Sequence, residues 1–174
     1  MDAKQILGLI EAAFPLQPLP QMSLHRAHLA DDSMAREISN QEWQVALKLD
    51  ANRTWKDYSD QELLSCDKAL AHLDEPSFVY YIPAFLDFAV RHCDATLTDP
   101  VGLLVGSAVF SVTHLTPYSL GRFKQLSIGQ RNAVIAFLEY IAAYGRHGNA
   151  TDAKKALSRY WKTDEASKPF LIVS

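Results

Sequence analysis

Apolar residues recur along most of the chain at intervals of three and four, the spacing that lines one face of an α-helix. Ile6, Leu9, Ile10 and Ala13 form one such stripe, and Trp43, Ala46 and Leu47 form another. Val134, Phe137, Leu138 and Ile141 define a long helix from Ile128 to Tyr144, ended by Gly145. Ala153, Ala156, Leu157, Tyr160 and Trp161 place a last helix at about residues 151–162, after a turn at Arg146–Asn149. The densest stretch runs from Leu73 to Cys93, where Phe78, Tyr81, Ile82, Phe85, Leu86 and Ala89 make a wide apolar face. The rest of the chain is expected to pack around it.

Helix starts carry a repeated local design. Asp2 with Gln5, Ser39 with Glu42, Ser59 with Glu62 and Ser127 with Gln130 each place a capping oxygen three residues before a Glu or Gln that returns the hydrogen bond. Asp74 and Thr116 precede a proline in the first turn, where a missing amide costs nothing. The expected fold is mainly α, a single multi-helix domain over residues 1–174, with Trp55-Lys-Asp57-Tyr58 leading into a short helix that carries Leu63 and Leu64.

Three stretches break the helical pattern. Residues 14–20 hold three prolines and form a rigid loop, although their P-x-x-P spacing also suits docking on an aromatic groove. Met22–Leu24 reads as a short strand, and the apolar run Pro169–Val173, in a tail over 163–174, is a candidate to pair with it in one small two-stranded sheet. Val101–Val112 fits a buried helix or a strand equally well, because an almost wholly apolar run has no informative period.

Pro83 sits inside the central helix. It has no amide for the carbonyl of Val79, so the helix is expected to kink there or to be rebuilt as two pieces meeting near Ile82. A freed carbonyl beside Tyr80 and Tyr81 would make a polar notch in an apolar element.

Composition narrows the chemistry. The chain is 48% hydrophobic and 21% charged, ordinary globular proportions. Its net charge is −3, and its 17 basic residues are scattered, so nucleic acid is not expected as a partner. No apolar run approaches the ~20 residues that span a bilayer, and the first residues lack a signal-peptide pattern, so a soluble cytoplasmic protein is expected. Cys66 and Cys93 lie 27 positions apart, with no second Cys or His at metal-ligand spacing beside Cys66, and read as two buried thiols in a reducing compartment rather than a disulfide or a zinc site.

His25 and His28, with Asp31 and Asp32 close behind, would share a face and hold a metal if they lay on a helix, but the proline-rich context argues against one. No cofactor is expected: the glycines at 102 and 106 match neither a P-loop nor a dinucleotide fingerprint. The notch nominates Tyr80, Tyr81, Asp87 and Trp55 as binding residues, with Asp87 and Arg91 forming a surface pair one turn apart.

The string Trp55-Lys-Asp-Tyr58-Ser-Asp-Gln-Glu-Leu63, then Ala71-His-Leu73 and Pro76-Ser-Phe78-Val-Tyr-Tyr81-Ile-Pro83-Ala-Phe85-Leu86, resembles a family of bacterial proteins known only as a domain of unknown function. The likeness extends through Leu126-Ser-x-x-Gln130, Val134-x-x-Phe137-Leu138-Glu-Tyr140 and Ala156-Leu157-x-x-Tyr160-Trp161. It covers about residues 1–162, while Gly102–Val112 and the last dozen residues fall outside it. The resemblance implies a shared fold and a bacterial cytoplasmic origin, and implies no catalytic role.

Two functions follow as expectations. The first is a non-catalytic interaction protein, an adaptor or an immunity-like protein that binds another protein. The second is a small hydrolase or metal-dependent enzyme with a site near the central helix, drawing on His25, His28, Asp57, Tyr81, Asp87 and His92. Catalysis would require those groups to converge in one pocket.

Overall fold

The computed structural model describes residues 1–163. Among the described residues there are ten α-helices: α1 (Ala3–Ala13), α2 (Leu24–Asp32), α3 (Asn40–Leu49), α4 (Asp60–Ser65), α5 (Ala69–His72), α6 (Glu75–Arg91), α7 (Pro100–Thr113), α8 (Pro117–Lys124), α9 (Ile128–Tyr144) and α10 (His147–Ala156). A 3-10 turn at Trp55–Asp57 precedes α4, and a π-helical turn, Leu157–Trp161, continues α10. Each start expected from a capping pattern forms. Asp2, Ser39, Ser59 and Ser127 head reciprocal capping boxes, and Asp74 and Thr116 accept from the amides of Ser77 and Ser119.

The core is organised around α6, which packs on α1, α7, α8 and α9. Its apolar face is wider than a stripe. Tyr80, Pro83, Ala84, Phe88 and Val90 are buried along with the expected face, so the helix is enclosed on nearly all sides. The helix runs through Pro83 as one uninterrupted element. Of the two outcomes expected there, rebuilding as two pieces does not occur. Helix α10 packs on both α7 and α9, while α2, α3 and α5 form a flank in which α2 contacts the other two.

Several expectations are corrected. Met22–Leu24 is not a strand: Leu24 opens α2, with Ser23 at its cap, and Leu24 and Ala27 are buried on its inner face. No strand occurs among the described residues, so the inner half of the expected two-stranded sheet is missing. Its other half, Pro169–Val173, lies outside the described residues. The turn at Arg146–Asn149 is shorter than expected, since α10 begins at His147 and only two residues separate it from α9. Leu9 and Leu47 point outward although their stripes face in. The α5 turn carries too few residues to show a period, and the pattern gives no sign of it.

Val101–Val112 is helical. Asp99 caps α7 by accepting from the amide of Gly102 at 2.8 Å and from the Thr96 hydroxyl at 2.7 Å. Gly102 is required here, because a Cβ would lie 1.8 Å from the carbonyl oxygen of Thr96.

Candidate functional site

The outer face of α7 forms the wall of an open groove of about 670 Å³. Leu104, Val105, Ala108, Val109 and Val112 face inward and are buried. On the opposite side Leu103 and Phe110 are each 58% exposed. Apart from Ser107, which lines the groove, the hydroxyls on this helix add little polarity. Ser111 Oγ donates to the Ala108 carbonyl at 2.7 Å and Thr113 Oγ1 to the Val109 carbonyl at 2.8 Å, so both are turned back on the helix. Apolar all round, α7 is the kind of helix that normally has neighbours on every side. Leu97, 48% exposed, lies over its first half, and His114 stacks on Phe110 with centroids 4.5 Å apart.

The facing wall comes from α8 and α5. Tyr118 is 56% exposed, and its hydroxyl donates to the Leu73 carbonyl at 3.3 Å. Beneath it Arg122, only 5% exposed, donates through Nη1 to the Leu70 carbonyl at 2.9 Å and through Nη2 to the Leu73 carbonyl and to the Tyr118 hydroxyl. Its guanidinium carbon lies 4.2 Å from the Tyr118 ring centre and 4.6 Å from that of Phe78. Burial pulls this arginine's pKa down, opposed by Tyr118, Glu75 and Asp74. The side chain therefore ties α8 to the carbonyl end of α5 and sets the groove floor. At the groove's end Asp31 accepts from Lys68 Nζ at 2.9 Å and lies 2.9 Å from His72 Nε2, and these contacts hold its carboxyl below the usual range.

The residues nominated from sequence do not meet in one place. Trp55 and Asp87 share a smaller cavity of about 340 Å³ with Leu7, Glu11, Tyr58 and Arg91. Trp55 is buried, with an indole N–H that has no hydrogen-bond partner among the described residues. Asp87 accepts from Arg91 Nε at 2.7 Å, the pair expected from their spacing, and Arg91 also grips Asp60. Tyr80 serves the proline-rich loop, donating to the Leu16 carbonyl at 2.9 Å. Tyr81 is sealed in the core, edge-on to Tyr58 and Tyr80.

His25 and His28 do lie on a helix, contrary to the reading of their context, yet their rings part. His25 Nδ1 reaches Asp50 at 2.6 Å, and His28 Nδ1 lies 3.9 Å from Asp67. Among the described residues no three His, Cys, Asp or Glu side chains are grouped as for a metal ion. Asp57 closes the 3-10 turn by accepting from Thr54, and His92 lies 2.8 Å from Asp60. Cys66 is a buried thiol as expected, its pKa pushed up to about 12 by burial, whereas Cys93 is only half-buried.

Sequence reasoning missed Leu103, Phe110, Tyr118 and Arg122. The signal for the first two was the absence of period in Val101–Val112, which was read as uncertainty about the element. Among the described residues no single helix is long and apolar enough to cross a membrane, although α7 and α8 together pass by length and composition as a pair bent by 82°.

Compared with known proteins, residues 2–165 match the model of one family, described as "Family of unknown function (DUF6714)". No curated protein and no solved structure matches the chain.

Proposed function

The chain therefore belongs to that family of unknown function, and we propose that it is an interaction protein, adaptor-like or immunity-like, whose α7 groove receives an apolar segment of a partner protein. The observation that carries this reading is the grouping of Leu97, Leu103, Phe110 and Tyr118, each about half exposed, around a single trough. Contiguous apolar surface rimmed by polar groups is costly to leave in water and marks interaction sites. All four side chains are large, and two, Phe110 and Tyr118, are aromatic, the residue type that anchors protein interfaces.

The dispersal of the candidate catalytic groups favours this over the enzyme reading. His25 and Tyr81 belong to a buried network, Asp57 to a cap, and Asp87 and His92 to ion pairs around Arg91 and Asp60. A bacterial cytoplasmic setting is part of the proposal, supported by two free cysteines.

The test places a photo-crosslinking p-benzoylphenylalanine at Phe110 in cells of the native host, with Ile128, exposed on α9, as the control position. A discrete protein adduct at 110 and none at 128 is expected. The purified adduct partner should then bind the chain directly and lose at least tenfold in affinity to the Leu103→Asp/Phe110→Asp variant. Adducts with lipid alone, or binding unaffected by the double substitution, would overturn the reading.

A further inference from the structure

The groove has a candidate occupant within the same polypeptide. Beyond the described residues the sequence continues Asp164-Glu-Ala-Ser-Lys-Pro-Phe-Leu-Ile-Val-Ser174, with five successive apolar residues at 169–173. Burying such side chains is favourable, so a surface that accepts the run is favoured.

The described chain ends close to the groove. Trp161 Nε1 donates to the Val112 carbonyl at 2.8 Å, which fixes the end of the π-helical turn against the C-terminal end of α7. Phe110 and His114, on that same end of α7, line the groove and also a neighbouring cleft of about 340 Å³ between α7 and α10. The two hollows are thus joined at one stacked pair of rings. The cleft carries Lys155 and Arg159, and Lys155 meets Asp152 only at 3.9 Å. Asp164 and Glu165, the first residues past the described end, have the charge to lie along it. From Thr163 to Pro169 is six steps, ~20 Å of extended chain, and the cleft that carries Arg159 has Phe110 in its own lining.

We infer that residues 169–173 of this chain dock in the α7 groove, with Asp164 and Glu165 beside Lys155 and Arg159, so that the tail competes with the partner segment for the same site. The inference rests on the groove being the binding surface and adds its regulation: a partner must displace the tail, and its apparent affinity falls by the fraction of molecules whose groove is open.

In the full chain, p-benzoylphenylalanine in place of Phe170, irradiated at low protein concentration, is expected to give intrachain adducts that map to Leu103, Phe110 or Tyr118. Substituting Arg159→Glu should lower their yield several-fold. Adducts that join two copies, adducts elsewhere on the chain, or no adduct would overturn the inference. A second measurement separates it from the reading it rests on. With the photoprobe at Phe110, the Phe170→Asp/Ile172→Asp variant should raise the partner adduct several-fold. Groove adducts from position 170 with no partner adduct in either background would leave the tail docked and remove the partner reading; a partner adduct unchanged by the tail variant would do the reverse.

Discussion

Nδ1 of His25 lies 2.6 Å from Oδ1 of Asp50, a carboxylate 5% exposed at the C-terminal cap of α3. The same carboxylate accepts from the His25 amide at 2.8 Å and from the Tyr58 hydroxyl at 2.8 Å, so one side chain joins α2, α3 and the loop before α4. Burial alone would raise its pKa, but the hydrogen bonds, the one from His25 foremost, outweigh burial and hold it low. Tyr58 in turn packs on Tyr81 of the central helix.

Removing that acceptor takes the partner from three donors, the Tyr58 hydroxyl buried and the two of His25 part-buried. Asp50→Ala should destabilise the fold by about 3 kcal/mol, at 1–3 kcal/mol for a buried group left unpaired. Urea unfolding followed by far-UV circular dichroism checks it: the midpoint should fall with the slope unchanged.

Acid should unfold the protein in a defined window. Asp60 is held at about 2 chiefly by Arg91, Glu62 at about 2 chiefly by Arg53, and Glu42 at about 2 chiefly by the backbone amide of Ser39. Their unfolded values are ~4, so the stabilisation they contribute is complete above that pH and is lost as pH falls towards about 2. Thermal unfolding should therefore be nearly flat from pH 7 to 5 and drop steeply below 4. Asp60→Asn should shallow that drop. At pH 7 it should cost no more than about 1 kcal/mol, because the pair it breaks is largely solvent-exposed.

Alkali should act on the buried tyrosines. Burial raises Tyr81 to about 12 and also raises Tyr58. A phenol that ionises near 10 when unfolded and near 12 when folded favours the unfolded chain as pH climbs between those values. Loss of stability between pH 10 and 12, reduced in Tyr81→Phe, should appear in a pH series of melting temperatures read alongside tyrosinate absorbance.

Arg122 should resist conservative replacement. Lysine keeps the charge but loses the flat fork that spans the Leu70 and Leu73 carbonyls and stacks on two rings. Arg122→Lys should cost about 2 kcal/mol by leaving at least one buried acceptor unpaired. Calorimetric unfolding of the two proteins side by side decides it, and an unchanged melting temperature would refute the role given to the fork.

Two glycines make an opposed pair. Gly8 has nothing within 4 Å of where a Cβ would stand, and it lies within α1, so Gly8→Ala should stabilise by up to about 1 kcal/mol through helix propensity. Gly102→Ala drives a methyl into the Thr96 carbonyl and should cost about 3 kcal/mol. Chemical denaturation of both variants provides the comparison.

Helix starts were legible because they are local: a Ser, Thr or Asp oxygen and an amide three residues on meet whatever the rest of the chain does. That is why Ser39, Ser59, Asp74, Thr116 and Ser127 could be read from their neighbours alone, and why Gly145 marked the end of α9. Ser23 makes no side-chain cap bond, so α2 carried no such mark and was mistaken in part for a strand. The dense aromatic segment was identifiable as the centre because a helix that apolar has to be enclosed, and α6 is.

What lay beyond the sequence depended on contacts between distant residues. Asp50 follows the last apolar residue of α3 directly, but its bonds to a histidine 25 positions earlier appear only when α2 packs on α3. Nothing near Arg122 in the sequence sets it apart; the fold brings the carbonyl end of α5, some 50 residues away, to its guanidinium. The groove follows the same logic. The sequence by itself determined that Val101–Val112 is almost wholly apolar; only the packing of α6 and α10 against its inner sides decided that Leu103 and Phe110 are left facing out. Burial is a property of neighbours, and a uniformly apolar helix does not encode which of its faces will have them.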